Sequence, residues 1–238
     1  MPPCRLCLKL NQLRKSHIIP EFLYEDLYDK NHKMIGIHGQ GPKGREIVQK
    51  GLRELLLCDA CEQHINGSFE KPFRKLWVES CPLPVQWHPD YKHQIRVEYA
   101  TFKLFHLSVL FRAGISTLPE FEVVSLGPHE TKLRQMLLNR DPGPETTYPI
   151  AGYAVLHHKT NKIVNFIARA EAGRIKGRRC YRLMYGGVHW WITVASDTPP
   201  ALREMALRED GTMVLEGEPW NNIFIIQAAS RALKSADA

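Results

Sequence analysis

Four of the six cysteines stand in two Cys-x-x-Cys pairs, Cys4-Arg5-Leu6-Cys7 and Cys58-Asp59-Ala60-Cys61. A two-residue spacer lets both thiolates of a pair face one ion at Zn–S distances of about 2.3 Å, and two such pairs complete a closed tetrahedral site. The first pair precedes any apolar stretch that could serve as a signal peptide, so export is not expected and the cytoplasm is the expected compartment. In that setting a shared metal outweighs a disulfide framework. A redox dithiol is the alternative for either pair, but neither follows a buried strand in a βαβ pattern. A four-cysteine site leaves no open coordination position, so the expected Zn²⁺ is structural, held by Cys4, Cys7, Cys58 and Cys61. Cys81 and Cys180 are single and read as small hydrophobes.

The fold class expected is α+β: an N-terminal zinc-stapled module over residues 1–80, a proline-rich linker over 81–94, and an α+β domain over 95–238 with a buried helix and an antiparallel sheet. With 44% hydrophobic and 24% charged residues the chain has globular rather than disordered composition. No apolar run approaches the roughly 20 residues of a membrane span, so no membrane partner is expected. In the first segment, residues 12–19 read as a strand, Pro20 opens a short helix to Tyr28, and residues 31–50 read as a hairpin or inserted loop. A helix begins near Asp59 and runs toward Trp77, with a break expected at Asn66-Gly67. Residues 95–113 read as a helix apolar on nearly all faces, hence the centre of a core. A second helix starts at Pro128. Strands are expected over 148–157, 163–168, 181–185 and 188–194, with turns at Asn161 and Gly186-Gly187. Residues 220–234 read as a terminal helix.

Between the cysteine pairs stands Ser16-His17-Ile18-Ile19-Pro20, and the second pair lies in Leu56-Leu57-Cys58-Asp59-Ala60-Cys61-Glu62. Together these resemble the HNH (ββα-metal) endonuclease family in its zinc-stapled, treble-clef form, over residues 4 to about 70. The resemblance implies a metal-dependent endonuclease that hydrolyses phosphodiester bonds in DNA. It places the general base at His17 and the two divalent-metal ligand positions at Ser16 and Glu62, with Mg²⁺ or Mn²⁺ as the catalytic ion. Both ligand positions depart from the family's usual residues, and the Asn that often precedes the third cysteine is missing; Arg53 stands near that place. Read from the residues alone, His17 is equally a buried histidine that orders the knuckle. Glu62 reads first as a first-turn carboxylate favoured by the helix dipole and second as a metal ligand. Tyr99 to Ser116 and Leu126-Gly127-Pro128-His129-Glu130 resemble uncharacterised bacterial and phage-related proteins that begin with the same zinc module, which implies no activity.

The chain carries 32 Lys and Arg against 25 Asp and Glu, a net charge of +7, which suits a polyanion without demanding one. Residues 169–182 concentrate six basic side chains against one acid, and an exposed basic loop is expected there. Arg174, Lys176, Arg178 and Arg179 are its candidate phosphate contacts. Of the adjacent Trp190 and Trp191, one should be core and the other exposed, with packing the default and base stacking possible for either. Two other functions fit the same residues: a non-catalytic zinc protein that binds nucleic acid, and a protein-interaction component of a phage-defence or mobile-element system.

Overall fold

The computed structural model describes residues 1–37, 45–88 and 91–223. The first segment is built on a short ladder. Strand β1 (Leu13–His17) pairs antiparallel with β4 (Arg53–Cys58), and a register shift between Arg14 and Lys15 marks a bulge. Between them the chain makes two 3-10 turns, Glu21–Leu23 and Glu25–Leu27, in place of the helix expected after Pro20. It then forms a separate two-stranded ladder of β2 (Met34–Ile37) and β3 (Arg45–Val48), within the stretch expected to be a hairpin.

After β4 the chain turns directly into α1 (Asp59–Ile65), a π-type turn (Asn66–Glu70), α2 (Lys71–Arg74) and a second π-type turn (Lys75–Glu79). The expected break at Asn66-Gly67 is absent. Ile65, Phe69, Phe73 and Trp77 are all buried, and this spacing of four keeps one apolar stripe against the core across the glycine. A spacing of four drifts on an ideal 3.6-residue helix, and the wider π-type turns compensate. Pro72 favours the widening, since its ring crowds the carbonyl four residues back and it has no N–H to give.

The second segment centres on α3 (Tyr99–Ile115), whose residues from Phe102 to Ala113 are all buried. The helix starts later than expected because Ile95 belongs to strand β5 (His93–Arg96), paired with β10 (Thr212–Pro219). Glu98 resets the chain: its carboxylate accepts from the backbone N–H of Ala100 (3.1 Å) and Thr101 (2.7 Å), an N-cap. Helix α4 (His129–Asn139) packs on α3 and ends at Arg140 in the left-handed region.

The sheet has six strands in the order β5-β10-β6-β9-β8-β7, with β6 (Ile150–Leu156), β7 (Ala168–Ile175), β8 (Arg178–Tyr185) and β9 (Val188–Val194). It is mixed rather than antiparallel: β10 runs parallel to β6. Gly186 and Gly187 join β8 to β9 with φ of 62° and 75°, the pair of positive values a two-residue hairpin of the right twist requires. The expected strand at 163–168 is reduced to one bridge, Leu156 to Ile163. Residues 169–182 are not a loop: all but the Lys176-Gly177 turn lie in β7 and β8, because alternate side chains there face the sheet. Trp220–Asn222 form a 3-10 turn, and the rest of the expected terminal helix lies outside the described residues.

One apolar core runs through both segments. Phe73 stacks on Phe105 of α3 at 3.6 Å between centroids, and Trp77 meets Trp190 of β9 edge-on. Trp87, from the stretch between the segments, is also buried in this core.

Candidate metal centre and adjoining polar cluster

The β1–β4 ladder and α1 bring the cysteine pairs together. Cys4 and Cys7 flank a tight turn closed by bonds from Leu8 N–H to the Cys4 carbonyl (2.8 Å) and from Cys4 N–H to that of Lys9 (2.9 Å). Arg5 N–H donates to the Leu56 carbonyl (3.0 Å), which lays this turn on β4. Cys58 ends β4 and Cys61 sits in the first turn of α1.

The four sulfurs all lie within 4.8 Å of one another, close enough to bind one metal ion. The Cys7 and Cys58 sulfurs are 3.8 Å apart. A tetrahedron of thiolates at zinc bond length has an edge of roughly 3.8 Å, whereas a disulfide needs about 2.05 Å, so the set fits a structural ion such as Zn²⁺ and not a cystine. The thiol chemistry agrees. Burial raises the Cys4 thiol, but N–H donors from Cys7, Cys58 and Leu6 outweigh it and bring the pKa down to about 7. Burial, reinforced by the other sulfurs, pushes the Cys61 thiol up. Four adjacent thiols cannot all ionise without a cation to hold them.

The same clamp sets the second cluster. Ser16 is fully buried; its hydroxyl donates to Glu62 Oε1 in a short bond and accepts from Leu57 N–H (3.2 Å). Ser16 and Glu62, expected from the resemblance to be metal-ligand positions, thus touch. Burial raises the Glu62 carboxyl, against the lowering effects of the Ser16 bond and the Arg112 charge. His17, the next residue, has a side chain 26% exposed, with Nε2 2.9 Å from Glu21 Oε2 but off the line a hydrogen bond needs. Nε2 has no exposed surface, so the ring's exposure comes from its other atoms. Burial lowers the His17 pKa, which keeps the imidazole neutral near pH 7.

Arg112 closes the arrangement from α3. Its guanidinium is buried and donates to the His17 carbonyl and to Glu70 Oε1, both at 2.7 Å. Glu70 thereby joins the side of the helical run that carries Glu62, as the unbroken run allows. His64 points elsewhere, its Nε2 2.8 Å from the Leu137 carbonyl of α4. Arg112 lies outside the motif, yet a lone arginine in a helix apolar all round signals a buried partner.

The basic residues are partly committed within the fold. Arg178 pairs with Asp197 (2.6 Å), Arg179 donates to the Ser125 carbonyl (2.9 Å), and Arg174 donates to the Gly177 carbonyl (2.7 Å). Lys176 sits at the turn with φ of 48°. No helix among the described residues is long and apolar enough to cross a membrane. No protein-family model, curated protein or solved structure matches the chain.

Proposed function

We propose that this chain is a zinc-stapled protein of the HNH-like, treble-clef class that acts on nucleic acid, with His17 as the base for phosphodiester hydrolysis. The observation that carries the reading is the contact of Ser16 with Glu62 beside His17, made by a ladder and helix whose ends meet at the cysteine cluster. In this reading the ion held by the four thiolates is zinc and has no chemical role beyond fixing β1 against α1.

His17 is suited to take a proton from water. Its ring is neutral, its side chain is 26% exposed, and the Glu21 carboxylate 2.9 Å from Nε2 would stabilise the imidazolium that forms. Glu62 is the hard oxygen ligand for Mg²⁺ or Mn²⁺, an ion that would neutralise charge on the phosphate and is commonly held by one or two carboxylates plus substrate oxygens. Ser16 fits that role poorly, because its buried hydroxyl already makes two bonds; it holds Glu62 in place instead. Arg53, paired with His17 across the ladder, adds positive charge where a phosphate would approach.

Purified protein is expected to cut DNA with Mg²⁺ or Mn²⁺, and His17→Ala to abolish cutting while leaving the fold and bound zinc intact. Equal inertness of wild type and variant on duplex DNA, single strands and RNA would reject hydrolysis. The second reading, a binder without turnover, is favoured by the engagement of the Glu70 carboxylate with the buried Arg112. It gives salt-sensitive binding and no product.

A further inference from the structure

A polar recess opens where the segment leading into α4 meets β8 and β9. It is a cavity of about 240 Å³ lined by residues 125–129, by Arg179 of β8 and by Val194 of β9. Its walls are fixed by contacts far apart in sequence. Leu126 is buried against Gly114 of α3, where a Cβ would come within 2.2 Å of the leucine side chain. Tyr181 of β8 pins Ser125: its hydroxyl donates to the Ser125 carbonyl in a short bond and accepts from the Ser125 N–H (3.1 Å). Tyr148, itself buried, meets His129 from behind, its hydroxyl 2.9 Å from Nδ1.

The lining carries donors and positive charge. Arg179 Nη1 is anchored on the Ser125 carbonyl (2.9 Å) and the Tyr181 hydroxyl (3.3 Å), and among the described residues no acid pairs with this guanidinium. Its neighbours on β8 differ: Arg178 is answered by Asp197, and Arg182 by Glu171 at 3.1 Å. His129, held through Nδ1, keeps Nε2 for a ligand, and Ser125 adds a hydroxyl. None of the lining residues is acidic. Burial, then the positive charges of Lys132 and Arg179, hold the His129 imidazole below its ordinary pKa, as a positive potential without a carboxylate to offset it requires. A carboxylate is planar and is satisfied by a guanidinium fork alone. Donors on β8, on α4 and on the loop between them and α3 suit the several oxygens of a tetrahedral anion.

We propose that this recess binds a phosphate group, with Arg179 as its main anchor and His129 and Ser125 as further donors. The site is separate from His17 and does not require hydrolysis. The test titrates the full zinc-loaded chain with inorganic phosphate, a 5′-mononucleotide, a single-stranded oligonucleotide without terminal phosphates, and acetate, following the amide NMR signals of Gly127 and His129. Phosphate is expected to move these signals saturably and acetate to leave them in place. Arg179→Gln is expected to weaken phosphate binding roughly tenfold or more, and Ser125→Ala about threefold. Tyr181 holds Ser125 without help from Arg179, so the loop should survive the first change. If Arg179→Gln still fails to fold, Arg179→Lys, which keeps the charge and loses the fork, carries the test with an intermediate loss. Arg208→Gln, which removes an exposed arginine elsewhere, is expected to change nothing. Signals moved by the oligonucleotide with the same variant losses assign the site to backbone phosphates; signals moved by phosphate and mononucleotide alone assign it to a small phosphorylated ligand. No saturable shift with any phosphate, an equal shift with acetate, Arg179 variants that bind like wild type, or an equal loss in Arg208→Gln overturns the proposal. His17→Ala is expected to keep phosphate binding here, so the failure of either reading is seen apart from the other.

Discussion

The two segments solve the same problem by different means. Around the cysteines the chain has a five-residue strand, a six-residue strand and one short helix, too little regular structure to bury a core of its own. A metal ion shared by the four cysteines, which lie close enough to bind one, would supply what packing does not. Around α3 the chain buries a seventeen-residue helix against six strands, and packing supplies the core. Yet the stripe of Phe69, Phe73 and Trp77 from the first segment enters the second segment's core. The difference teaches that the metal fixes a local arrangement, while the aromatic stripe fixes where that arrangement sits.

Removing the metal tests this division most severely. For small zinc modules, binding contributes about 10–16 kcal/mol of apparent folding free energy at neutral pH. Chelation, or Cys58→Ser, is expected to release the ion and abolish hydrogen-exchange protection over β1, β4 and the cysteine turn. Protection in α3 and β9 should persist. Simultaneous loss of both would show that the segments form one cooperative unit and break the comparison.

The next largest effect belongs to the link between them. Arg112→Met leaves Glu70 and the His17 carbonyl without their buried donor, at an expected cost of about 3–5 kcal/mol. At about 2–4 °C per kcal/mol for a chain of this size, the melting temperature should fall by roughly 10 °C. Adding Glu70→Gln removes the uncompensated charge and should recover part of the loss. If the single variant melts like wild type, the guanidinium is not the link described.

Acid probes the buried histidine of α3. His106 is fully buried in α3, its Nδ1 2.6 Å from the Tyr185 hydroxyl, and burial holds its pKa well below the ordinary histidine value of 6.5. The unfolded state therefore binds a proton that the folded state refuses. This contribution is fully present above about pH 6.5 and declines as pH falls below it. His106→Gln is expected to flatten the slope of stability between about pH 6.5 and 5, read from urea midpoints at each pH. An unchanged slope would assign the acid sensitivity to other groups, His17 and His129 among them, whose pKa values burial also lowers.

What is legible in the sequence follows the same division. Covalent spacing announces a metal site, so the cysteine cluster can be read directly, as can the buried helix from its apolar faces. The Gly186-Gly187 turn is legible because few residues accept two positive φ values in a row. Tertiary choices are not legible. Nothing local says that β10 returns parallel to β6, or that the stripe from Ile65 to Trp77 holds a helix through Gly67. The basic run at 169–182 reads as a loop because its charges mask an alternation visible only once one face is covered. In the candidate site, the motif names Ser16, His17 and Glu62. Arg53 stands near the place of the missing Asn, whereas Glu21 and Arg112 reach the site only through the fold, from a 3-10 turn and a helix far along the chain.

The smallest effect concerns the basic hairpin, where the residues named from charge divide by geometry. Arg178 is engaged by Asp197, so its charge is already answered. Arg174 is exposed and bonds to a carbonyl, and Lys176 lies exposed at the turn, which leaves both charges facing solvent. Neutralising one phosphate-bound cation should reduce the slope of log affinity against log salt by about 0.7–0.9. Arg174→Gln with Lys176→Gln is therefore expected to lower that slope by roughly 1.5. Arg178→Gln should leave it nearly unchanged. These substitutions lie on the surface, so melting temperatures should move little. Equal slopes for wild type and every variant would mean that the hairpin's charge only solubilises the sheet, and phosphate binding would have to be sought nearer the cysteine centre, where Lys15, Lys71 and Lys75 are exposed.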